Sequence, residues 1–203
     1  MKGTNVSPEE QRLDRFTTRA LQILTFLSRH PYDAFSLTEV SKRVGVSKST
    51  AFRILKQFQK ANYVLIGEIS NLWRVAFNRE SLHALGFKIS QNLMLVYTSG
   101  IADFIIQRWG APRAIILFGS VRKGEDGPGS DIDIAVEIDG EAGLNIVSLE
   151  SFQDETARKL RVFEKQLNRK FKIHFFNRKQ VDPNLFRNIA NGILLYGFLD
   201  VQP

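Results

Sequence analysis

The chain contains no cysteine among its 203 residues, and it has only three histidines. The absence of cysteine excludes disulfides, thiolate metal sites and cysteine nucleophiles, and so few histidines argue against a zinc site built on imidazoles. No apolar run approaches the ~18 residues that a transmembrane helix requires. The first residues, MKGTNVSPEEQRLD, lack the apolar segment of a signal peptide. We therefore expect a cytoplasmic protein with no membrane partner.

Acidic residues are scarce in the first part of the chain. Residues 1–80 hold 13 Lys and Arg against 7 Asp and Glu, whereas residues 81–203 hold 15 against 14. Most of the net charge of +7 therefore belongs to the N-terminal part. Such an excess indicates an anionic partner, most simply a nucleic acid, although extra lysines can also serve only to keep a small domain soluble.

The N-terminal segment predicts three helices. Apolar residues recur at helical spacing from Leu13 to a stop near His30, and a short second helix ends at Gly45. Ser47 is a good N-cap for the third helix, whose apolar stripe consists of Ala51, Ile54, Leu55 and Phe58. Two short helices joined by a tight glycine-containing turn are typical of a helix-turn-helix.

A hairpin is predicted after the third helix, because two strand-favouring runs in YVLIGEISNLWRVAF flank a Gly-Glu-Ile-Ser-Asn turn. Residues 13 to about 78 together resemble a winged helix-turn-helix domain, which binds double-stranded DNA. The resemblance implies that residues 47–60 form the recognition helix, with Ser49, Thr50 and Arg53 at base edges and Lys42, Arg43, Lys48 and Lys56 at phosphates. A protein-contact role for such a module is the alternative.

The next segment, residues 81–109, has a helical pattern that Ser99-Gly100 divides in two. After Pro112, the apolar run Ala114 to Phe118 predicts a strand that is covered on both faces. Gly119 allows a sharp turn close to a ligand, and Ser120 offers a hydroxyl to a phosphate oxygen. A helix beginning there would also point free N–H groups at an anion. The Walker pattern is absent.

A second strand begins with two carboxylates in SDIDIAVEI. Strand alternation places Asp131 and Asp133 on one face, with α-carbons about 6–7 Å apart. Two neighbouring carboxylates at a strand start can share a divalent cation, and oxygen ligands beside phosphate favour Mg²⁺, with Mn²⁺ as the alternative. A metal in that position would bridge the phosphates and offset charge in the transition state.

The combination of an apolar strand, Gly-Ser, ten residues and Asp-x-Asp resembles the minimal nucleotidyltransferases of the DNA polymerase beta superfamily. The resemblance implies that Gly119 and Ser120 hold an NTP, with Ser130 beside them and Arg122 or Lys123 assisting at the phosphates. It implies that Asp131 and Asp133 bind Mg²⁺ and act in catalysis. The reaction would transfer a nucleoside monophosphate to an acceptor hydroxyl.

One position departs from that pattern. The family commonly carries a third carboxylate on the next strand as general base, and the equivalent residue here is His174. Histidine can act as a base at neutral pH, can mark a site that binds nucleotide without transferring it, or can be structural. Glu137 faces the same way as Asp133 but lies about 13 Å further along its strand, which makes it a poor substitute.

Residues 158–179 hold nine Lys and Arg against one Glu. A cluster of this kind can contact a nucleotide, an RNA or an acidic partner, and a solvated face is the expected interpretation.

The predicted fold class is α+β, with a winged helix-turn-helix in residues 1–80 and a nucleotidyltransferase fold with a small mixed sheet flanked by helices in residues 81–203. A long helix is expected over residues 148–168, and a short helix after Pro183. Two functions follow. One is a nucleotidyltransferase whose acceptor, by the resemblance, could be a partner toxin bearing a HEPN domain, in a protein that represses its own promoter. The other is a DNA-binding regulator whose second domain only binds nucleotide or dimerises. We expect a homodimer.

Overall fold

A computed structural model describes residues 8–70, 72–139 and 144–201, with the backbone alone for residues 8–16. Its contacts group the chain into two units, one ending at Lys88 and one beginning at Ile89. The boundary that the sequence predicts, after residue 80, remains a prediction. Among the described residues no single helix is long and apolar enough to cross a membrane; only a pair of helices bent by 44° at Gly100 reaches that length together.

The first unit contains three helices followed by a small sheet. The helices are α1 (Pro8–Arg29), α2 (Leu37–Val44) and α3 (Lys48–Lys60), and the strands are β1 (Ala34–Phe35), β2 (Val64–Ile69) and β3 (Leu72–Phe77). The strands lie in the order β1-β3-β2, and both pairings are antiparallel. The predicted helix-turn-helix and its hairpin are confirmed.

Local sequence explains the boundaries of α2 and α3. Ser36 and Glu39 form a reciprocal capping box at the start of α2. Gly45 ends the helix with a φ of 71°, and the Ser47 side chain then accepts the N–H of Thr50 to start α3. Buried side chains from all three helices and all three strands form one core, among them Ile23, Leu27, Phe35, Val40, Ile54, Leu55, Val64 and Val75.

Three details of the first unit differ from the sequence prediction or lie beyond the description. Strand β2 continues through Gly67 to Ile69, so the turn is shorter than the five residues expected. The two-residue strand β1, which pairs with β3, was not predicted. The side chains of Leu13 and Phe16, from which the first helix was inferred, lie outside the described residues.

The second unit is built around a five-stranded mixed sheet. Helix α4 (Leu82–Ser99) runs into this unit and is followed by α5 (Ile101–Trp109), with Gly100 between them as predicted. The other elements are β4 (Ala114–Phe118), α6 (Gly119–Lys123), β5 (Ile132–Glu137), β6 (Asn145–Ser148), α7 (Glu155–Leu167), β7 (Phe171–Phe176), α8 (Pro183–Ala190) and β8 (Ile193–Gly197). The strand order is β6-β7-β5-β4-β8, and only the β5–β7 pair is parallel.

Both faces of this sheet are covered where β4 lies. One face packs into a core with α5 and α7 through residues such as Ile115, Leu117, Ile134 and Ile173. The other face packs against α8 through Ala114, Ile116, Phe118, Ala135 and Phe176. All five residues of β4 are buried, as the uninterrupted apolar run predicted.

The region before α7 corrects the sequence prediction. The expected helix over residues 148–168 begins only at Glu155, because Asp154 caps it by accepting the N–H of Ala157. The preceding residues 145–148 instead form the edge strand β6, and a short 3-10 turn follows it. The final apolar stretch forms the other edge strand, β8.

Candidate functional site

The Gly-Ser turn and the first carboxylates of β5 meet at one point. Phe118, the last residue of β4, pairs directly with Asp133 across the antiparallel ladder. Gly119 follows with a φ of 74°, and a Cβ added there would lie 2.6 Å from Asp133 Oδ2. The carboxylate therefore occupies the space that any side chain at position 119 would need, and glycine is required for the two motifs to come together.

Each carboxylate of the Asp-x-Asp pair has a basic partner on β7. The parallel register places Lys172 beside Asp133 and His174 beside Ala135. Lys172 Nζ lies 2.5 Å from Asp131 Oδ2, and His174 Nε2 lies 3.0 Å from Asp133 Oδ1. The hydrogen bond and the charge of Asp131 raise the pKa of Lys172. The two acids are 32% and 25% exposed, so solutes can reach them.

His174 is buried in the position that the sequence assigned to the missing third carboxylate. Its ring packs edge-on against Phe118, with centroids 5.0 Å apart, and its Nε2 contacts Asp133. Its Nδ1 is buried with no hydrogen-bond partner among the described residues. In this arrangement Nε2 of His174 is engaged by Asp133, and Nδ1 is enclosed by the protein.

The donor set suits a metal that arrives with phosphate. Among the described residues no three His, Asp or Glu side chains are grouped so as to hold a metal ion by themselves. Mg²⁺ characteristically binds through one or two carboxylates together with substrate phosphates and water. Asp131 and Asp133 each direct one carboxylate oxygen to a basic partner, and the second oxygen of each is left to coordinate a metal ion. The pair therefore fits Mg²⁺ or Mn²⁺ that is shared with a nucleotide.

The other residues predicted to bind nucleotide are grouped around the same turn. Ser120 and Arg122 are half-buried in α6, whereas Lys123 is exposed, with its Nζ 3.9 Å from Glu125 Oε2. Ser130 has a structural partner, since its hydroxyl accepts the N–H of Gly127 at 3.0 Å. Ser130 therefore closes the turn that leads into Asp131.

A buried ion pair that the sequence did not reveal holds the intervening loop. Asp126 is 1% exposed and contacts Arg169 Nη2 at 2.5 Å through Oδ2. Its Oδ1 accepts from Asn92 at 2.7 Å, and the Asn92 amide also donates to Val121 O. These contacts tie the loop between the two motifs to α4 and to the start of β7. An acidic residue in a Gly-rich loop gives no sequence signal of burial.

The basic run over residues 158–179 is more structural than its composition indicated. Six of its side chains have partners within the chain: Lys159, Arg161, Arg169, Lys170, Lys172 and Arg178. Arg161, for example, donates to the carbonyls of Leu149 and Phe152. A solvated face, which the composition favoured, therefore describes only part of this run.

Glu137 is remote from the candidate site. It pairs with Ala114 and Phe176 at the end of β5 away from Asp131, and it is 2% exposed. Its Oε2 has no hydrogen-bond partner among the described residues, and burial raises its pKa. It is a buried structural carboxyl group.

The predicted DNA-contacting residues lie in α2 and in α3. Six of the seven have exposed side chains: Lys42, Arg43, Lys48, Ser49, Arg53 and Lys56. Lys56 Nζ lies 4.8 Å from the centroid of Trp73, whose ring stacks on Phe52. The stack packs the hairpin against α3.

Thr50, the seventh predicted DNA-contacting residue, is buried. It is 8% exposed, its backbone N–H donates to Ser47 Oγ, and its hydroxyl accepts from the same group at 2.9 Å. Since Thr50 lies one residue beyond the exposed Ser49 on the helix, it faces the core rather than solvent. Its contacts with Ser47 stabilise the N-terminus of α3, and its assignment to base edges stays a prediction.

Family models match both predicted domains of the chain. Residues 99–195 match the family model of the nucleotidyltransferase domain, and residues 17–65 match that of the IclR helix-turn-helix domain. No curated protein matches the sequence.

The solved structures that match resemble only part of the chain. An IclR transcriptional regulator from Alicyclobacillus acidocaldarius is 24% identical over 51% of this chain and 40% of its own length, with a TM-score of 0.32. A protein assigned as an IclR transcriptional regulator, from Silicibacter sp. TM1040, is 19% identical over 50% and 39%, with a TM-score of 0.29. The chain thus spans well under half the length of either protein. It joins an IclR-type helix-turn-helix domain to a nucleotidyltransferase domain.

Proposed function

We propose that the second domain transfers a nucleoside monophosphate from an NTP to an acceptor hydroxyl with the help of Mg²⁺, in a protein whose first domain binds double-stranded DNA. The observation that carries the proposal is the contact between Gly119 and the Asp133 carboxylate, which brings the phosphate-binding turn and the metal-binding pair into one site. We assign the activity to the cytoplasm, where NTPs and DNA are both available.

In this proposal each residue of the site has a defined task. Ser120 and the basic side chains of Arg122 and Lys123 bind the triphosphate. Asp131 and Asp133 hold the divalent cation, which when bound neutralises phosphate charge that develops during transfer. His174 holds Asp133 in orientation through its Nε2 contact. Ser130 maintains the turn that presents Asp131.

Two features of the surroundings support phosphoryl chemistry. The site lies at the end of a buried, rigid strand pair, which keeps the carboxylates in position without reorganisation. The loop between the motifs is fixed by the buried Asp126–Arg169 pair. A site prepared in this manner can act largely by positioning and charge stabilisation, as phosphoryl transfer requires.

The DNA-binding part of the proposal rests on exposed charge. Lys42, Lys48, Arg53 and Lys56 lie in the exposed face of the helix-turn-helix, and the first 80 residues carry most of the net positive charge. We propose that this face binds the promoter of the protein's own gene, and that the acceptor is a partner protein encoded beside it, a toxin with a HEPN domain.

A second candidate function is a DNA-binding regulator whose nucleotidyltransferase domain binds nucleotide without transferring it. The observation that favours it is His174, which takes the place of a third carboxylate and whose Nε2 is already engaged by Asp133. A site without a general base near the acceptor would retain binding and lose most of the rate.

Incubation with NTPs labelled at the α-phosphate separates these functions. The reaction contains Mg²⁺, with and without the product of the neighbouring gene, and compares the wild type with Asp131→Ala/Asp133→Ala. Label on a protein or nucleic acid that disappears in the double variant supports transfer. Nucleotide binding by the wild type without transfer to any acceptor rejects transfer and supports the regulator.

A further inference from the structure

Lys172 lies at the centre of the candidate site, yet neither sequence motif includes it. It stands beside Asp133 in the parallel ladder and opposite Ser148 of β6. Its side chain is 48% exposed and reaches across to Asp131, with Nζ 2.5 Å from Oδ2. The side chain therefore crosses the same face of the sheet on which both site carboxylates lie.

The partner distinguishes Lys172 from the other lysines of this region. Lys159 pairs with Glu155 and Lys170 with Glu150, and both acids are more than 60% exposed surface residues. Lys172 instead pairs with an acid that the proposed function needs as a metal ligand. A metal ion on the other oxygen of Asp131 would weaken the attraction of this carboxylate for the ammonium group, because both cations would share one negative charge.

The ammonium group has a second possible partner within reach. A triphosphate bound at Ser120, with its cation on Asp131 and Asp133, would bring several negative charges to the face from which Lys172 projects. The lysine stem has four flexible carbons, and its three donors can turn to a new acceptor without movement of the strand. Displacement from Asp131 would therefore leave the charge beside the phosphates.

We propose that Lys172 is a triphosphate-binding residue that rests on Asp131 in the free protein and moves to the phosphates when a divalent cation occupies Asp131. This inference rests on the proposed nucleotide site, and it adds a binding residue on β7. It also predicts that the metal binds weakly alone and well with nucleotide, since only the nucleotide offers the displaced ammonium group a new partner.

Under this proposal, substitution of Lys172 changes the affinity for the metal ion and the affinity for nucleotide in opposite directions. Without nucleotide, Lys172→Gln removes the competing cation, and Mn²⁺ should bind about fivefold more tightly, the upper range for a partly exposed ion pair. With Mg²⁺ present, a non-transferable NTP analogue should bind about fivefold more weakly, because one phosphate contact is lost. A purely structural ion pair would not produce this opposition.

The experiment measures free Mn²⁺ by electron paramagnetic resonance and analogue binding by isothermal titration calorimetry on the full chain. Lys170→Gln is the matched control, since it removes a lysine that lies two residues away and pairs at 2.7 Å with Glu150, and it should change each affinity much less than Lys172→Gln does. Lys172→Arg keeps the charge and should retain nucleotide binding, which guards against a failure of Lys172→Gln to fold.

Unchanged Mn²⁺ affinity in Lys172→Gln, a change of both affinities in one direction, or no binding of Mn²⁺ and analogue by the wild type would each overturn the proposal. The measurements are equilibrium binding and need no transfer. A protein that binds as described but transfers no label would therefore reject the proposed reaction and leave the role of Lys172 intact.

Discussion

Replacement of Gly119 by alanine tests whether the two motifs depend on each other. The added Cβ would lie 2.6 Å from Asp133 Oδ2, closer than real Cβ contacts, so the carboxylate must leave its position. Its movement would also break the Asp133–His174 contact, which now spans 3.0 Å. We expect Gly119→Ala to lose both stability and affinity for Mg²⁺ with nucleotide.

The expected loss of stability has two parts. A positive φ of 74° in a residue with a Cβ costs about 1–2 kcal/mol. Forcing Asp133 off its rotamer adds about 1 kcal/mol. The sum is about 2–3 kcal/mol, a substantial fraction of the 5–15 kcal/mol typical of a domain.

Gly129→Ala is the matched control, because Gly129 has a φ of 78° and a Cβ there would meet nothing within 4 Å. It should cost only the backbone part, about 1–2 kcal/mol. Urea unfolding followed by Trp109 fluorescence, in a Trp73→Phe background, reports on the second unit alone, since the chain has two tryptophans. Adding Asp133→Ala to Gly119→Ala should reduce the excess over Gly129→Ala to near zero.

Equal losses in Gly119→Ala and Gly129→Ala would refute this reasoning. They would mean that position 119 needs glycine only for its backbone and that Asp133 is free to adjust at no cost. The same conclusion would follow if the excess cost persisted in the Asp133→Ala background.

Three further predictions concern other parts of the chain. Arg53→Ala should weaken binding to duplex DNA in a gel shift and reduce the salt dependence of that binding. Thr50→Val should lower the unfolding free energy with little change in the salt dependence of DNA binding. The reverse pattern would contradict the assignment of the two residues. Asp126→Ala should destabilise the second unit by roughly 3 kcal/mol in urea, because Arg169 stays buried without its partner; a loss typical of a surface pair would be inconsistent with that burial. Burial raises the pKa of Glu137 above its ordinary value of 4.5, so folding favours the protonated form and stability is lost as pH rises through the folded pKa. Glu137→Gln should therefore be more stable than the wild type at neutral pH and no more stable below pH 4.5. Lys170 lowers the pKa of Glu150, so Glu150→Gln should instead be less stable than the wild type at neutral pH.

The elements predicted most accurately from sequence carry strong local signals. The end of α2 follows from Gly45 and the start of α3 from Ser47, whose left-handed and capping geometries are set by residue type. The buried strand β4 follows from an apolar run between Pro112 and Gly119. The meeting of Gly119 with Asp133 was implied by a motif, and the antiparallel ladder supplies its physical basis.

The elements that sequence reasoning misplaced depend on distant partners. Residues 145–148 are a strand because β7 offers them an edge. The helical apolar spacing that began at Leu149 is overridden by the cap at Asp154. Thr50 was assigned to base edges because it is polar, whereas its angular position on α3 directs it towards the core. Helix spacing alone could have predicted this burial.

The ion pairs between residues distant in the chain could not be predicted from the sequence. Asp126 and Arg169 are 43 residues apart, and Lys172 and Asp131 are 41 apart. Only the loop path and the parallel β5–β7 register bring them together. The composition of the basic run therefore overestimated the charge available to an external partner.

The most direct test of the central claim is the stoichiometry of pyrophosphate release. With each NTP, Mg²⁺ and the neighbouring gene product, the wild type should release one pyrophosphate for each labelled nucleoside monophosphate transferred, and Asp131→Asn/Asp133→Asn should release none. Bound nucleotide with no pyrophosphate and no transferred label from any NTP would contradict the account.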